Sequence, residues 1–124
     1  MAEYGIVIVS HSFNLAQGVY DLISEVSKDI NVTCIGGTED KTIGTDFNLV
    51  LNAIETNASD HLLAFFDLGS ARMNLELAMD MSEKDITIFQ VPIVEGAYTA
   101  SALLQAGAPI ESIKEQLKEL EIVK

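Results

Sequence analysis

The sequence predicts an α/β fold: an open, mainly parallel sheet of about four strands with helices on both faces. Three observations carry that expectation. Short segments rich in Ile, Val, Leu and Phe alternate along the chain with longer ones whose apolar residues recur three and four apart, the spacing of an amphipathic helix. The short segments are almost continuously apolar, as suits strands covered on both sides. No Pro-, Gly- or Ser-rich stretch is long enough to be a linker, so residues 1–124 read as one domain.

The first strand is Tyr4 to Val9, and its apolar run breaks into Ser10-His11-Ser12. The segment "NLAQGVYDLISEVS" follows as a helix starting near Asn14. Ile30 to Ile35 forms the second strand and contains Cys34, read as a small core residue. Next comes the helix "TDFNLVLNAIETN", with Thr45 or Asp46 available to cap it. The third strand is His61 to Phe66, followed by the helix "SARMNLELAMDMS", whose Met73, Met79 and Met81 read as core or interface packing. Ile86 to Val91 is the fourth strand, and "VEGAYTASALLQAG" and "PIESIKEQLKEL" are the last two helices. Pro109 stands near the start of the final helix, and Glu and Lys repeat along its outer face. Alternating strands and helices imply right-handed crossovers in a parallel sheet. With the strand order 2-1-3-4, the order reverses between strands 1 and 3, and a site is expected beyond their carboxyl ends.

Nineteen Asp and Glu against seven Lys and Arg give a formal charge of -12. Such a charge repels nucleic acid and anionic membrane surfaces, and either attracts basic partners or simply solvates the exterior. Cys34 is the only cysteine, so no internal disulfide and no Cys-rich metal site is expected. Without a basic leader or a long apolar run, the chain is expected to be cytoplasmic. The glycosylation patterns at Asn31 and Asn57 are taken as chance.

The expected topology brings the loop after strand 1, with His11, next to the loop after strand 3, "DLGS", with Asp67. A carboxylate that accepts one imidazole N–H fixes the tautomer and leaves the other ring nitrogen a free lone pair. On this reading His11 Nε2 attacks phosphorus and Asp67 holds Nδ1–H. Backbone N–H groups at the two helix starts, with the Ser70 hydroxyl, bind phosphoryl oxygens. Plainer readings stand beside it: His11 capping the next helix, and Asp67 as an N-cap or turn residue. Arg72, the only arginine, meets either a phosphoryl group, a partner's acid or solvent. Glu95 and Thr99 either line the mouth of the site or start a helix, and His61 belongs at the opposite end of the sheet. A phosphoaspartate receiver needs an acidic pair after strand 1, where this chain has Ser-His-Ser. "GGTEDKT" lacks the Gly before Lys of a Walker loop, and neither G-x-G-x-x-G after strand 1 nor G-x-S-x-G is present.

"IVIVSHSFNLAQGV", "IGTD", "FFDLGSA" and "VPIVEGAYTA", in this order from Ile6 to about Ala106, resemble the phosphohistidine domain of the DhaM family. These are phosphoryl donor subunits of the dihydroxyacetone kinase that draws on the phosphotransferase system, similar in fold to mannose-type IIA components. The resemblance implies that the histidine phosphocarrier protein phosphorylates His11. The group then passes to ADP, with its magnesium, on the DhaL subunit, while DhaK holds dihydroxyacetone. It implies Asp67 as the imidazole's partner, and Ser12, Thr45, Gly69 and Ser70 as phosphoryl-binding candidates. It also implies a homodimer with no cofactor or metal of its own, and that carrier domains fused in some members are separate proteins here. Sugar-transport components read closer to "DLxGGSP", and "DLGSA" lacks the second Gly and the Pro, which favours the kinase donor. The alternatives are that sugar component, which shares the chemistry, and a non-catalytic acidic adaptor.

Overall fold

The structure, a computed structural model, describes residues 3–124. Its strands are β1 (Tyr4–Ser10), β2 (Val32–Gly36), β3 (His61–Phe66) and β4 (Asp85–Phe89). Between and after them run α1 (Phe13–Ser24), α2 (Phe47–Glu55), α3 (Ser70–Met81), α4 (Ile93–Gln105) and α5 (Ile110–Lys118). The strands form one parallel sheet in the order β2-β1-β3-β4, as expected.

Alternation along β1 shows why its run is apolar throughout. Val7 and Val9 join a core with Val50, Ala53 and Ile54 of α2 and Ala71, Leu75 and Ala78 of α3. Ile6 and Ile8 face the other way, into a core with α1, α4 and α5. All four side chains are fully buried, each contributing about 2 kcal/mol of hydrophobic stabilisation. Two helices therefore cover one face of the sheet and three the other.

The element ends differ from expectation for local reasons. α1 starts at Phe13 because the Ser12 hydroxyl accepts from the Leu15 N–H and caps it. β4 stops at Phe89, short of Val91; Val91 is buried, but Pro92 behind it has no N–H and caps α4. Cys34 is half-buried rather than a full core residue, since β2 is an edge strand. Its Sγ donates to Gln17 Oε1 at 3.2 Å. Asn57 is buried, with Nδ2 donating to the Ile6 carbonyl at 3.1 Å, so its amide is committed to the fold.

The close approach of α1 to the sheet depends on Gly36, which pairs in register with Ser10. A Cβ there would lie 2.2 Å from the Ser12 carbonyl oxygen and 2.7 Å from Ala16 Cβ. Only glycine admits the helix this near, and that proximity fixes where the loop after β1 emerges.

Candidate functional site

β1 and β3 are neighbours in the sheet, so the loops leaving their carboxyl ends emerge side by side. The Asp67 N–H donates to the Val9 carbonyl at 3.2 Å, continuing the ladder one step past β3. On the other side, the Gly37 N–H donates to Ser10 O and the Gly44 N–H to His11 O, at 3.2 and 2.9 Å. His11 is thus gripped between the loops after β2 and β3.

Asp67 is the hub. Its Oδ2 accepts the Ser10 hydroxyl at 2.8 Å and the His11 backbone N–H at 2.9 Å. Its Oδ1 accepts the Leu68 N–H at 2.7 Å and lies 2.9 Å from His11 Nδ1. Burial pushes the Asp67 pKa up, but the donors from His11, Ser10 and Leu68 outweigh it and hold the carboxyl below its ordinary range. An ionised carboxylate only accepts, so Nδ1 carries the proton and donates. The lone pair of neutral His11 is therefore on Nε2, 2.7 Å from Ser70 Oγ, which donates to it. The two side chains are only 16% and 11% exposed, which strengthens the pair over a surface one.

Sequence-based candidates fall in three groups. His11, Asp67 and Ser70 are in direct contact. Ser12 stands next to His11 with its hydroxyl capping α1, and Gly69 precedes Ser70 as the N-cap of α3, a helix with no side-chain cap. α3 begins at Ser70, in contact with the imidazole, so the positive end of its dipole lies beside Nε2 and favours an anion there. Thr45 is tied instead to α3, its Oγ1 accepting from Asn74 Nδ2 at 2.8 Å, while Asp46 caps α2. Arg72 donates to Glu76 Oε2 and Gln90 Oε1, both at 3.1 Å. Glu95 and Thr99 lie in the first turns of α4. Met79 packs against the core, whereas Met73 and Met81 are exposed.

His61 is at the other end of β3, beside Asp85, with Nδ1 2.9 Å from Oδ2. A cleft of about 670 Å³ at that end is lined by His61, Lys84 and Asp85 among others, well away from His11. Sequence reading overlooked Ser10 as a partner of Asp67. The available signal was a serine closing an apolar strand, since a hydroxyl buried there needs a hydrogen-bond partner. Among the described residues, no helix is long and apolar enough to cross a membrane.

Comparison with known proteins places the chain in a family. Residues 5–114 match the model of the EIIA-man family, described as the fructose IIA component of the phosphotransferase system. The chain is 62% identical over 121 residues to the phosphotransferase subunit DhaM of a phosphotransferase-system-dependent dihydroxyacetone kinase from Lactococcus lactis, covering 98% of each chain. It is 49% identical over 119 residues to the phosphoryl donor subunit DhaM of dihydroxyacetone kinase 1 from Listeria innocua, covering 96% of each. A crystal structure of a protein of unknown function, EF1359, superimposes with a TM-score of 0.84 at 29% identity, over 99% of this chain and 98% of the other.

Proposed function

The chain belongs to the EIIA-man family and, within it, to the DhaM phosphoryl donor subunits of phosphoenolpyruvate-dependent dihydroxyacetone kinase, and from this we propose that His11 carries the phosphoryl group. The observation that carries the proposal is the Asp67 carboxylate, which takes Nδ1–H and leaves the Nε2 lone pair at the protein surface.

The chemistry is a pair of phosphoryl exchanges. The phosphorylated histidine of the phosphocarrier protein meets His11, its P–N bond breaks, and a bond from phosphorus to Nε2 forms. Nδ1 keeps its proton throughout, and Asp67 offsets the positive charge that the substituted ring acquires. Positioning and oriented dipoles do most of what such a loose transition state needs. Ser70 Oγ–H, released from the lone pair it caps, turns to a phosphoryl oxygen beside the N–H groups at the start of α3. Ser12 and Gly69 line the same approach, and Thr45 acts more remotely by holding the loop that leads into α2 to α3 through Asn74.

In the second exchange an oxygen of the terminal phosphate of ADP attacks phosphorus, Nε2 leaves with its lone pair, and ATP forms. ADP and its magnesium are held by DhaL, and DhaK presents dihydroxyacetone. This chain is then a carrier within a kinase, working in the cytoplasm as a homodimer, and turnover belongs to the assembled subunits.

The test is intact mass after incubation with phosphoenolpyruvate, the general phosphotransferase enzyme and the phosphocarrier, with His11→Ala alongside. An acid-labile gain of one phosphoryl group, present only in the wild type, is the expected result. No gain in either protein overturns the reading and leaves the acidic adaptor. The family description names a sugar IIA component, so the acceptor is tested as well. Discharge on adding DhaL with ADP supports the kinase donor, and discharge only to a sugar transporter's IIB component supports the alternative.

A further inference from the structure

We propose that Gln90 is a positioning residue for transfer at His11: its side-chain amide braces Arg72 and so fixes the first turn of α3, which sets the Ser70 hydroxyl on Nε2. The consequence for transfer rests on the phosphohistidine reading of His11; the brace itself does not.

The start of α3 is held differently from those of α1 and α2. Ser12 caps α1 and Asp46 caps α2 through side-chain oxygens, whereas Gly69 offers α3 no such bond. Ser70 is exposed, so burial of its own side chain does not locate it either. Ala71 packs into the core beneath the turn, and Arg72 ties the turn sideways to β4. The Arg72 N–H donates to the Gly69 carbonyl at 3.1 Å, and its Nη1 donates to Gln90 Oε1, also at 3.1 Å. A shift of Arg72 therefore moves the residues on either side of Ser70.

Gln90 directly follows Phe89, the last residue of β4, and stands at the carboxyl edge of the sheet, where the site is built. Its half-buried amide is used at both ends: Oε1 accepts from Arg72, and Nε2 donates to the Ile122 carbonyl at 3.0 Å. Only this orientation, oxygen toward the guanidinium and nitrogen toward the carbonyl, makes both bonds run from donor to acceptor. The Gln90 backbone carbonyl also accepts the Ile122 N–H at 3.1 Å, so the segment after α5 is clamped across the end of the sheet. There Lys124 Nζ donates to the Phe66 carbonyl, and the segment packs on Gly69, where a Cβ would lie 3.2 Å from the Lys124 carbonyl oxygen. Gln90 thus joins the end of β4, the returning segment and the first turn of α3 at one point. Glu76 Oε2 accepts from Arg72 Nε at 3.1 Å and holds the guanidinium toward this brace. Ser70 has to donate to Nε2 at rest and turn to a phosphoryl oxygen during transfer, and a displacement of about 1 Å at such a group is enough to slow a reaction severely.

The experiment compares Gln90→Met, which loses the acceptor for Arg72, with Gln90→Glu, which keeps it, each alone and combined with Ser70→Ala. The ¹⁵N resonance of His11 Nε2 reports the hydrogen bond from Ser70, and the rate and half-saturation of phosphorylation by the phosphocarrier are measured in parallel. Gln90→Met is expected to move the Nε2 resonance toward its position in Ser70→Ala and to slow transfer about tenfold at saturating phosphocarrier, with half-saturation unchanged. Gln90→Glu restores both, since a carboxylate accepts from the guanidinium at least as well as an amide. In the Ser70→Ala background the same Gln90→Met loss shrinks to about twofold or less, because the two residues act through one group. An unmoved Nε2 resonance in Gln90→Met, no rescue by Glu, or an undiminished loss without the Ser70 hydroxyl overturns the proposal. The resonance needs no phosphoryl donor, so its outcome is separate from the fate of the His11 reading.

Discussion

Ser70 Oγ lies 2.7 Å from His11 Nε2, on the opposite side of the imidazole from Asp67. The two partners act differently: Asp67 accepts and fixes the tautomer, while the hydroxyl donates to the nitrogen that must become a nucleophile. A donor bound to that lone pair has to leave before phosphorus arrives, and it is then within reach of a phosphoryl oxygen.

Ser70→Ala removes this donor without touching Asp67. Nε2 remains a nucleophile, so the variant is expected to accept a phosphoryl group, but with transfer slowed about ten- to a hundredfold by loss of one hydrogen bond to the transferring group. Quenched-flow measurement with radiolabelled phosphoenolpyruvate checks it. An unchanged rate would remove Ser70 from the phosphoryl-binding set. Ser70 is exposed, so stability should change by less than about 0.5 kcal/mol.

The depressed Asp67 pKa ties stability to acid. A carboxyl ionised more readily in the folded than the unfolded chain contributes stability that is fully present above its ordinary value of 3.8. That contribution is lost as pH falls through the lower folded value. Wild type should therefore lose thermal stability faster than Asp67→Asn as pH drops below about 4, the other carboxylates being common to both. Melting curves that stay parallel down to pH 2 would show that Asp67 is not held ionised by its four donors.

Gly36→Ala tests the support beneath the site rather than its chemistry. The new methyl group meets the Ser12 carbonyl oxygen and Ala16 Cβ, so α1 must shift away from β2. A loss of about 2 kcal/mol in denaturant unfolding is expected. Because Ser12 adjoins His11, phosphorylation should slow too, even where the protein is fully folded. Full stability with a normal rate would mean that α1 does not depend on this approach.

Much of the fold was legible because it depends on local periodicity. The continuous run Ile6 to Val9 required cover on both faces, and its residues do alternate between two cores. The order 2-1-3-4 then placed His11 beside Asp67, since a parallel crossover of fixed hand leaves few alternatives. The relation of the chain to its family was likewise carried by motifs that are contiguous in sequence.

What the sequence by itself determined, then, was the alternation of elements, the sheet they form and the two loops that meet at its carboxyl edge, all consequences of patterns a few residues long. Only the tertiary structure decided what each polar group there does. Ser10 turned out to be a ligand of Asp67, Thr45 to be spent on Asn74, and Lys124 to arrive at Phe66 from the far end of the chain. Hydrogen bonds and charges act over about 3 Å in space. Separations of 57, 29 and 58 residues along the chain carry no sign of them until the sheet has closed.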